Sequence, residues 1–122
     1  PQEREFSDWI CYQLEPVVRL LAKGGSVVLN IGQDLFMPGS PERSLYLERA
    51  VLDLQQRLGL SLMDRIPWVS PKPPGPTRWA CVGHQQLVHA YEPCLWFTND
   101  PVNCFADNRR VLRPHSEQHL RL

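Results

Sequence analysis

The sequence predicts an α/β protein, an open sheet flanked by helices, and three observations carry that expectation. Two amphipathic helical segments are each followed, through a glycine turn, by a short apolar strand-like run, so that helix, strand, helix and strand alternate over residues 1–68. After a proline-rich break a third run, EPCLWFT at Glu92–Thr98, has the aromatic and apolar content of a strand. The chain is 122 residues long with 43% hydrophobic and 21% charged residues, which suits one globular domain and is too little for separate cofactor and substrate domains. Its apolar runs fall well short of the roughly 18 residues that a membrane-spanning helix needs.

The first helix is expected over Phe6 to Lys23, where Ile10, Leu14, Val17 and Leu21 recur at helical spacing and Ser7 and Asp8 offer N-terminal caps. Pro16 removes one backbone donor inside it and predicts a kink. Gly24 and Gly25 end the helix in a left-handed turn, and SVVLNIG follows as a continuous β-branched run that reads as a strand buried on both faces, as in a parallel sheet. A loop comes next, in which Ser40 is the expected cap and Pro41 the first residue of a second helix. Leu47, Val51, Leu54 and Leu58 form the stripe of that helix and Gly59 stops it. Leu60 to Trp68 is the second strand. Residues 69–91 form a connector that opens with VSPKPPGPT, whose four prolines exclude helix and central strand. The tail, residues 99–122, is polar.

Net charge is zero, with 13 basic and 13 acidic residues, so no global positive field points to nucleic acid. The halves differ: Pro1 to Ser61 carries six Lys or Arg against eight Asp or Glu, and Leu62 to Leu122 carries seven against five. The four cysteines, Cys11, Cys81, Cys94 and Cys104, form no C-x-x-C pair and read as free thiols of a cytosolic protein rather than metal ligands. His84, His89, His115 and His119 read as surface or satisfied histidines. A phosphate-binding glycine loop, a nucleophile elbow and an H-E-x-x-H zinc motif are all missing. The chain opens on Pro1, and its methionines are Met37 and Met63, which reads as a piece of a longer protein.

Two places have a physical claim to binding. Ligands of open α/β sheets bind beyond the carboxyl ends of the strands, where Asn30, Gly32 and Gln33 stand after the first strand. An asparagine there offers both donor and acceptor to the edge of a base or sugar. The second place is the proline loop with Trp68, Lys72 and Arg78, where cations beside aromatic rings can follow a phosphate backbone and stack on an unpaired base.

In order along the chain these segments resemble the amino-group DNA methyltransferases, enzymes that methylate adenine N6 or cytosine N4. EREFSDWICYQLEPVVRLLAKGGSVVLNIG is similar to the helix and strand that follow the family's catalytic tetrapeptide, with an L-x-x-G-G-x-x-x-L-N-I-G turn within Leu20–Gly32, from Leu21 on. MDRIPWVSPKPPGPTRW resembles the next strand and its W-x-x-x-K exit at Trp68 and Lys72. HAYEPCLWFTNDP, with His89, Glu92, Trp96 and Phe97, resembles the following h-x-x-E-x-x-x-x-F strand, and CFADNRRVLRPHSEQ the D-N-x-R segment leading to target recognition.

The resemblance implies a Rossmann-like methyltransferase sheet, incomplete here, S-adenosylmethionine as the parent enzyme's cofactor, and double-stranded DNA as its partner. It implies a flipped base in a pocket walled by Asn30 and Gly32, and phosphate contacts from Lys72, Arg78, Arg109 and Arg110. The family's (Asp/Asn/Ser)-Pro-Pro-(Tyr/Phe) tetrapeptide and its F-x-G-x-G cofactor motif are both absent from the 122 residues. The chain therefore corresponds to the middle of the circularly permuted arrangement and is expected to be inactive alone, part of a cytoplasmic bacterial or phage enzyme of the restriction-modification type. The alternative is a non-catalytic nucleic-acid-binding or protein-interaction module. Either form would expose a sheet edge through which two copies can pair.

Overall fold

The structure, a computed structural model, describes residues 2–32, 35–69, 78–111 and 113–121. Its elements are α1 (Gln2–Leu20), β1 (Ser26–Asn30), α2 (Tyr46–Leu58), β2 (Ser61–Val69), a π-helical turn at Arg78–Val82, β3 (Tyr91–Thr98), 3-10 turns at Pro101–Asn103 and Asn108–Arg110, and α3 (Glu117–Leu120). The α/β expectation and the three strands are borne out, but their neighbours are not those expected. The sheet order is β1-β3-β2, and β3 is antiparallel to both partners. β1 and β2 therefore run in the same direction, as strands joined through a crossover helix should, with a reversed strand inserted between them.

Directly opposed residues share a face of the sheet, so the register divides the side chains into two sets. Val27 and Leu62 lie opposite Phe97, and Leu29 opposite Leu95. These face the helices, where Ile10 and Cys11 of α1 meet Tyr46, Leu47, Ala50 and Leu54 of α2 in one buried cluster with Leu60, Leu95 and Phe97. The other face carries Val28 and Asp64 opposite Trp96, Asn30 and Ile66 opposite Cys94, and Trp68 opposite Glu92. Val28, Ile66 and Trp68 are exposed there, so β1 is half-buried on one face and open on the other, not buried on both. Apolar residues at consecutive positions record composition and not the number of covering layers, so the run alone does not separate a strand covered on both faces from one covered on a single face.

Both predicted helix starts move. α1 begins a turn earlier, at Gln2, so Ser7 is interior to the helix and fully buried, and it donates to an Asp53 carboxylate oxygen on α2 instead of capping. Glu3 also joins the helices, accepting from Arg49 Nε at 2.6 Å, from Ser44 Oγ at 2.9 Å and from the Leu45 amide at 3.1 Å. The Arg49 guanidinium foremost, and then the Ser44 hydroxyl, hold the Glu3 carboxyl below the usual carboxylate range. α2 begins at Tyr46 rather than at Pro41. Residues 36–43 are drawn into a bridged loop, Phe36 pairing with Arg43 and the Met37 amide donating to Glu42 O at 2.8 Å. Ser40 accepts from the Glu42 amide in that loop at 3.1 Å. Gly59 ends α2 in the left-handed conformation as expected, with φ of 66°.

Gly24 has φ of 78°, four residues past the end of α1 and not at its cap. A long-range latch holds this turn. The Asn99 amide donates to Leu21 O at 3.2 Å and to Ala22 O at 3.0 Å, its carbonyl accepts from the Gly24 amide at 2.9 Å, and Thr98 Oγ1 donates to Gly25 O at 2.8 Å. Asp100 then caps the 3-10 turn by accepting from the Val102 and Asn103 amides.

Candidate nucleic-acid interface

The carboxyl ends of β1 and β2 and the start of β3 meet at one end of the sheet, because β3 is reversed between them. This end collects most of the strand-end residues singled out by sequence. Asn30, exposed, is the last residue of β1, and its Nδ2 donates to Glu92 Oε2 on β3 at 3.1 Å. Trp68, 60% exposed, is the penultimate residue of β2 and lies directly opposite Glu92. Gly32 follows two residues after β1, and a side chain added there would meet no atom of the described residues within 4 Å. At the start of β3 the rings of His89, two residues before it, and Tyr91 lie 5.7 Å apart, tilted by 32°.

The cations are distributed differently. Arg78 opens the π-helical turn, exposed, with its guanidinium 4.9 Å from the centre of the Trp79 ring. Lys72 and Gln33 lie outside the described residues. Arg109 is clamped on Asp107, Nε to Oδ1 at 2.9 Å and Nη2 to Oδ2 at 3.0 Å, and this pairing holds the Asp107 carboxyl below its usual range. Arg110 Nε is 3.9 Å from the same carboxylate. The tail carrying both arginines leaves β3 at the end remote from Asn30, where Cys104 Sγ lies 3.7 Å from Ser26 Oγ at the start of β1. The structure thus brings Asn30, Gly32 and Trp68 to one end and starts the arginine-bearing tail from the other.

Two features escaped the sequence reading. Glu92 stood in the resembling pattern but was given no role; its place beside both Asn30 and Trp68 depends on a strand register that local periodicity does not contain. On the helix side, α2 and the outer halves of β2 and β3 border an open cleft of about 540 Å³, lined by Leu47, Val51, Pro67, Tyr91, Pro93 and Leu95. Among the described residues no group of three His, Cys, Asp or Glu side chains is placed to hold a metal ion, and no helix is long and apolar enough to cross a membrane.

No protein-family model matches the chain. The Type II methyltransferase M.PvuII of Proteus hauseri is 28% identical over 124 residues, covering 99% of this chain and 36% of that protein. A solved structure, the PvuII DNA methyltransferase (cytosine-N4-specific), superposes with a TM-score of 0.79 and 26% identity over 92% of this chain and 39% of its own. Over this span the chain is homologous to a cytosine-N4 DNA methyltransferase. It spans less than two-fifths of the length of the methyltransferases that it matches. The methyltransferase-like segments converge in space: Leu29 to Gly32 spans the end of β1, Trp68 lies next to the end of β2, and His89 to Glu92 spans the start of β3.

Proposed function

We propose that this chain is the DNA-facing central part of a site-specific DNA methyltransferase, one that transfers a methyl group from S-adenosylmethionine to the N4 amino group of cytosine, in a cytoplasmic bacterial or phage enzyme. The observation that carries the reading is the convergence of Asn30, Gly32 and Trp68 at the carboxyl end of a sheet homologous over nearly its whole length to a cytosine-N4 enzyme. The chemistry suits it, since methylating an exocyclic nitrogen requires the base to leave the stack and enter a site at the strand ends. Asn30 and Gly32 line that site, Trp68 offers a stacking face, and Lys72, Arg78, Arg109 and Arg110 meet phosphates. The F-x-G-x-G motif is absent from the 122 residues, so no residue here is assigned to the cofactor. No step is assigned to S-adenosylmethionine in this chain, and the order of tetrapeptide first and cofactor motif last, with inactivity of these residues alone, belongs to the same proposal.

Binding to a DNA duplex tests the reading. Lys72→Ala is expected to weaken binding at low salt and to lower the slope of log K against log salt by about 0.9, one phosphate's worth. Arg19→Ala, on α1 and paired with Glu15 at 2.6 Å, is expected to leave that slope unchanged. An unaltered slope in the Lys72 variant removes the loop from the DNA contact.

A second reading, a protein-interaction module, is favoured by the unequal sheet edges. β2 is protected as outer strands usually are, with a bulge between Leu62 and Asp64, charges at Asp64 and Arg65, and Pro67. β1, with the sequence SVVLN, has no charge, proline or bulge. Pairing about a twofold axis at Val28 would set Val28 against its copy and Val27 against Leu29, keeping both faces of the sheet in register. Sedimentation of the chain is expected to show a dimer that Val28→Lys converts to monomer; a wild-type monomer at high concentration removes this pairing.

A further inference from the structure

Two arginines of the tail, Arg109 and Arg110, are engaged by one carboxylate. Asp107 Oδ1 accepts from Arg109 Nε at 2.9 Å and Oδ2 from Arg109 Nη2 at 3.0 Å, so one edge of the guanidinium is fully used. Arg110 Nε lies 3.9 Å from Oδ2 of the same group. Two other ion pairs hold the fold together, since Arg49 with Glu3 and Arg57 with Asp8 each join α2 to α1. The Asp107 clamp spans two residues and closes on its own 3-10 turn. That turn is capped without it, because Asp107 Oδ1 also accepts from the Arg109 amide at 3.1 Å. A carboxylate that engages a guanidinium through two parallel bonds has the geometry with which a phosphate does so. Asp107 therefore stands where two phosphate oxygens would stand, against arginine side chains that are 88% and 86% exposed.

We propose that Asp107 is an intramolecular competitor for the DNA phosphate that Arg109 and Arg110 contact, so that a phosphate must displace it from Arg109 before the tail binds. This rests on the reading that the tail meets DNA, and it adds how that contact is held in check. One carboxylate and two guanidiniums carry one net positive charge, which draws the group toward a nucleic-acid backbone while the bidentate edge of Arg109 is occupied. The Arg109 guanidinium keeps the Asp107 carboxyl below its usual range, so the competitor is ionised at neutral pH. An exposed ion pair contributes little to the fold, so the competition is worth a few-fold in affinity and a phosphate can win it. After displacement Asp107 still accepts from the Arg109 amide, and the turn keeps its shape while the guanidinium swings outward.

Duplex DNA binding to the 122-residue chain, followed by fluorescence anisotropy over a salt series, tests the competition with Asp107→Asn. That substitution removes the charge and keeps an oxygen to cap the Arg109 amide. The variant is expected to bind about three- to five-fold more tightly at low salt, and to steepen the slope of log K against log salt by about 0.9, one added phosphate. In an Arg109→Ala/Arg110→Ala background the same substitution is expected to give no gain, since no guanidinium remains to be released. Glu15→Gln, which frees Arg19 on α1 in the same way, is expected to leave the slope unchanged. Unaltered binding in Asp107→Asn, or a gain that persists without the two arginines, overturns the competition. If the wild-type chain binds duplex with a normal salt slope in either case, the DNA-facing reading stands and only the competition falls. If neither the wild type nor Asp107→Asn binds duplex, both fall together.

Discussion

Gly24→Ala is expected to cost about 2–4 kcal/mol of folding stability, far more than a surface glycine normally would. Two causes act together. At φ of 78° any L side chain meets the following carbonyl, which alone costs roughly 1–2 kcal/mol. In addition, the new Cβ would stand 2.1 Å from the Asn103 carbonyl oxygen and 2.7 Å from its carbon. Those are backbone atoms that cannot rotate aside, so either the α1–β1 turn or the 101–103 turn must shift. A shift of either one strains the three hydrogen bonds by which Asn99 holds the turn to Leu21, Ala22 and Gly24. Gly59→Ala is the control: its φ is 66°, but no atom of the described residues lies within 4 Å of the added carbon, so only the conformational cost of roughly 1–2 kcal/mol applies. Urea denaturation of the two variants measures the difference. Equal losses would mean that the tail does not press on the Gly24 turn.

That turn marks where sequence reasoning stops. Gly24 and Gly25 were recognisable as a left-handed break because glycine is the residue that takes such a conformation at least cost. Their clamp could not be read, because Asn99 lies 75 residues from Gly24 and nothing local to either segment records the contact. The same division runs through the site. Asn30 and Gly32 were placed at a strand end because the apolar run of β1 ends there, and Leu47, Leu54 and Gly59 mark α2 by their own spacing. Glu92 was only a letter in a pattern until the β2–β3 and β1–β3 registers set it between Trp68 and Asn30. Ser7 failed in the opposite sense: its chemistry suited a helix cap, but a buried acceptor on α2, Asp53, competes for its hydroxyl and takes it into the helix interface.

The reversed strand is the least legible element and the one on which the site depends, so Phe97→Ala is expected to have the largest effect, about 3–5 kcal/mol. Phe97 is 0% exposed near the end of the central strand β3, opposite Val27 on one side and Leu62 on the other, inside the cluster with Leu54, Leu60 and Leu95. Truncation removes the ring and leaves a cavity that two strands and two helices cannot close together, because each is held by its own partners. Phe97→Leu, which keeps most of the volume, is expected to cost about 1–2 kcal/mol. For a domain of this size the alanine variant corresponds to a fall in melting temperature on the order of 10–20 °C, measurable by calorimetry. The consequence reaches the site through register. β1 and β2 do not touch; β3 alone aligns them, and only that alignment sets Glu92 across from Trp68 while it receives Asn30. Below its melting temperature the alanine variant should keep the Asn30–Glu92 pairing in the fraction still folded, with the pairing and the fold lost in the same transition. A variant that stays folded with a loss under about 1 kcal/mol would show that Phe97 is not packed at the centre of the sheet, and the alignment on which the site rests would go with it.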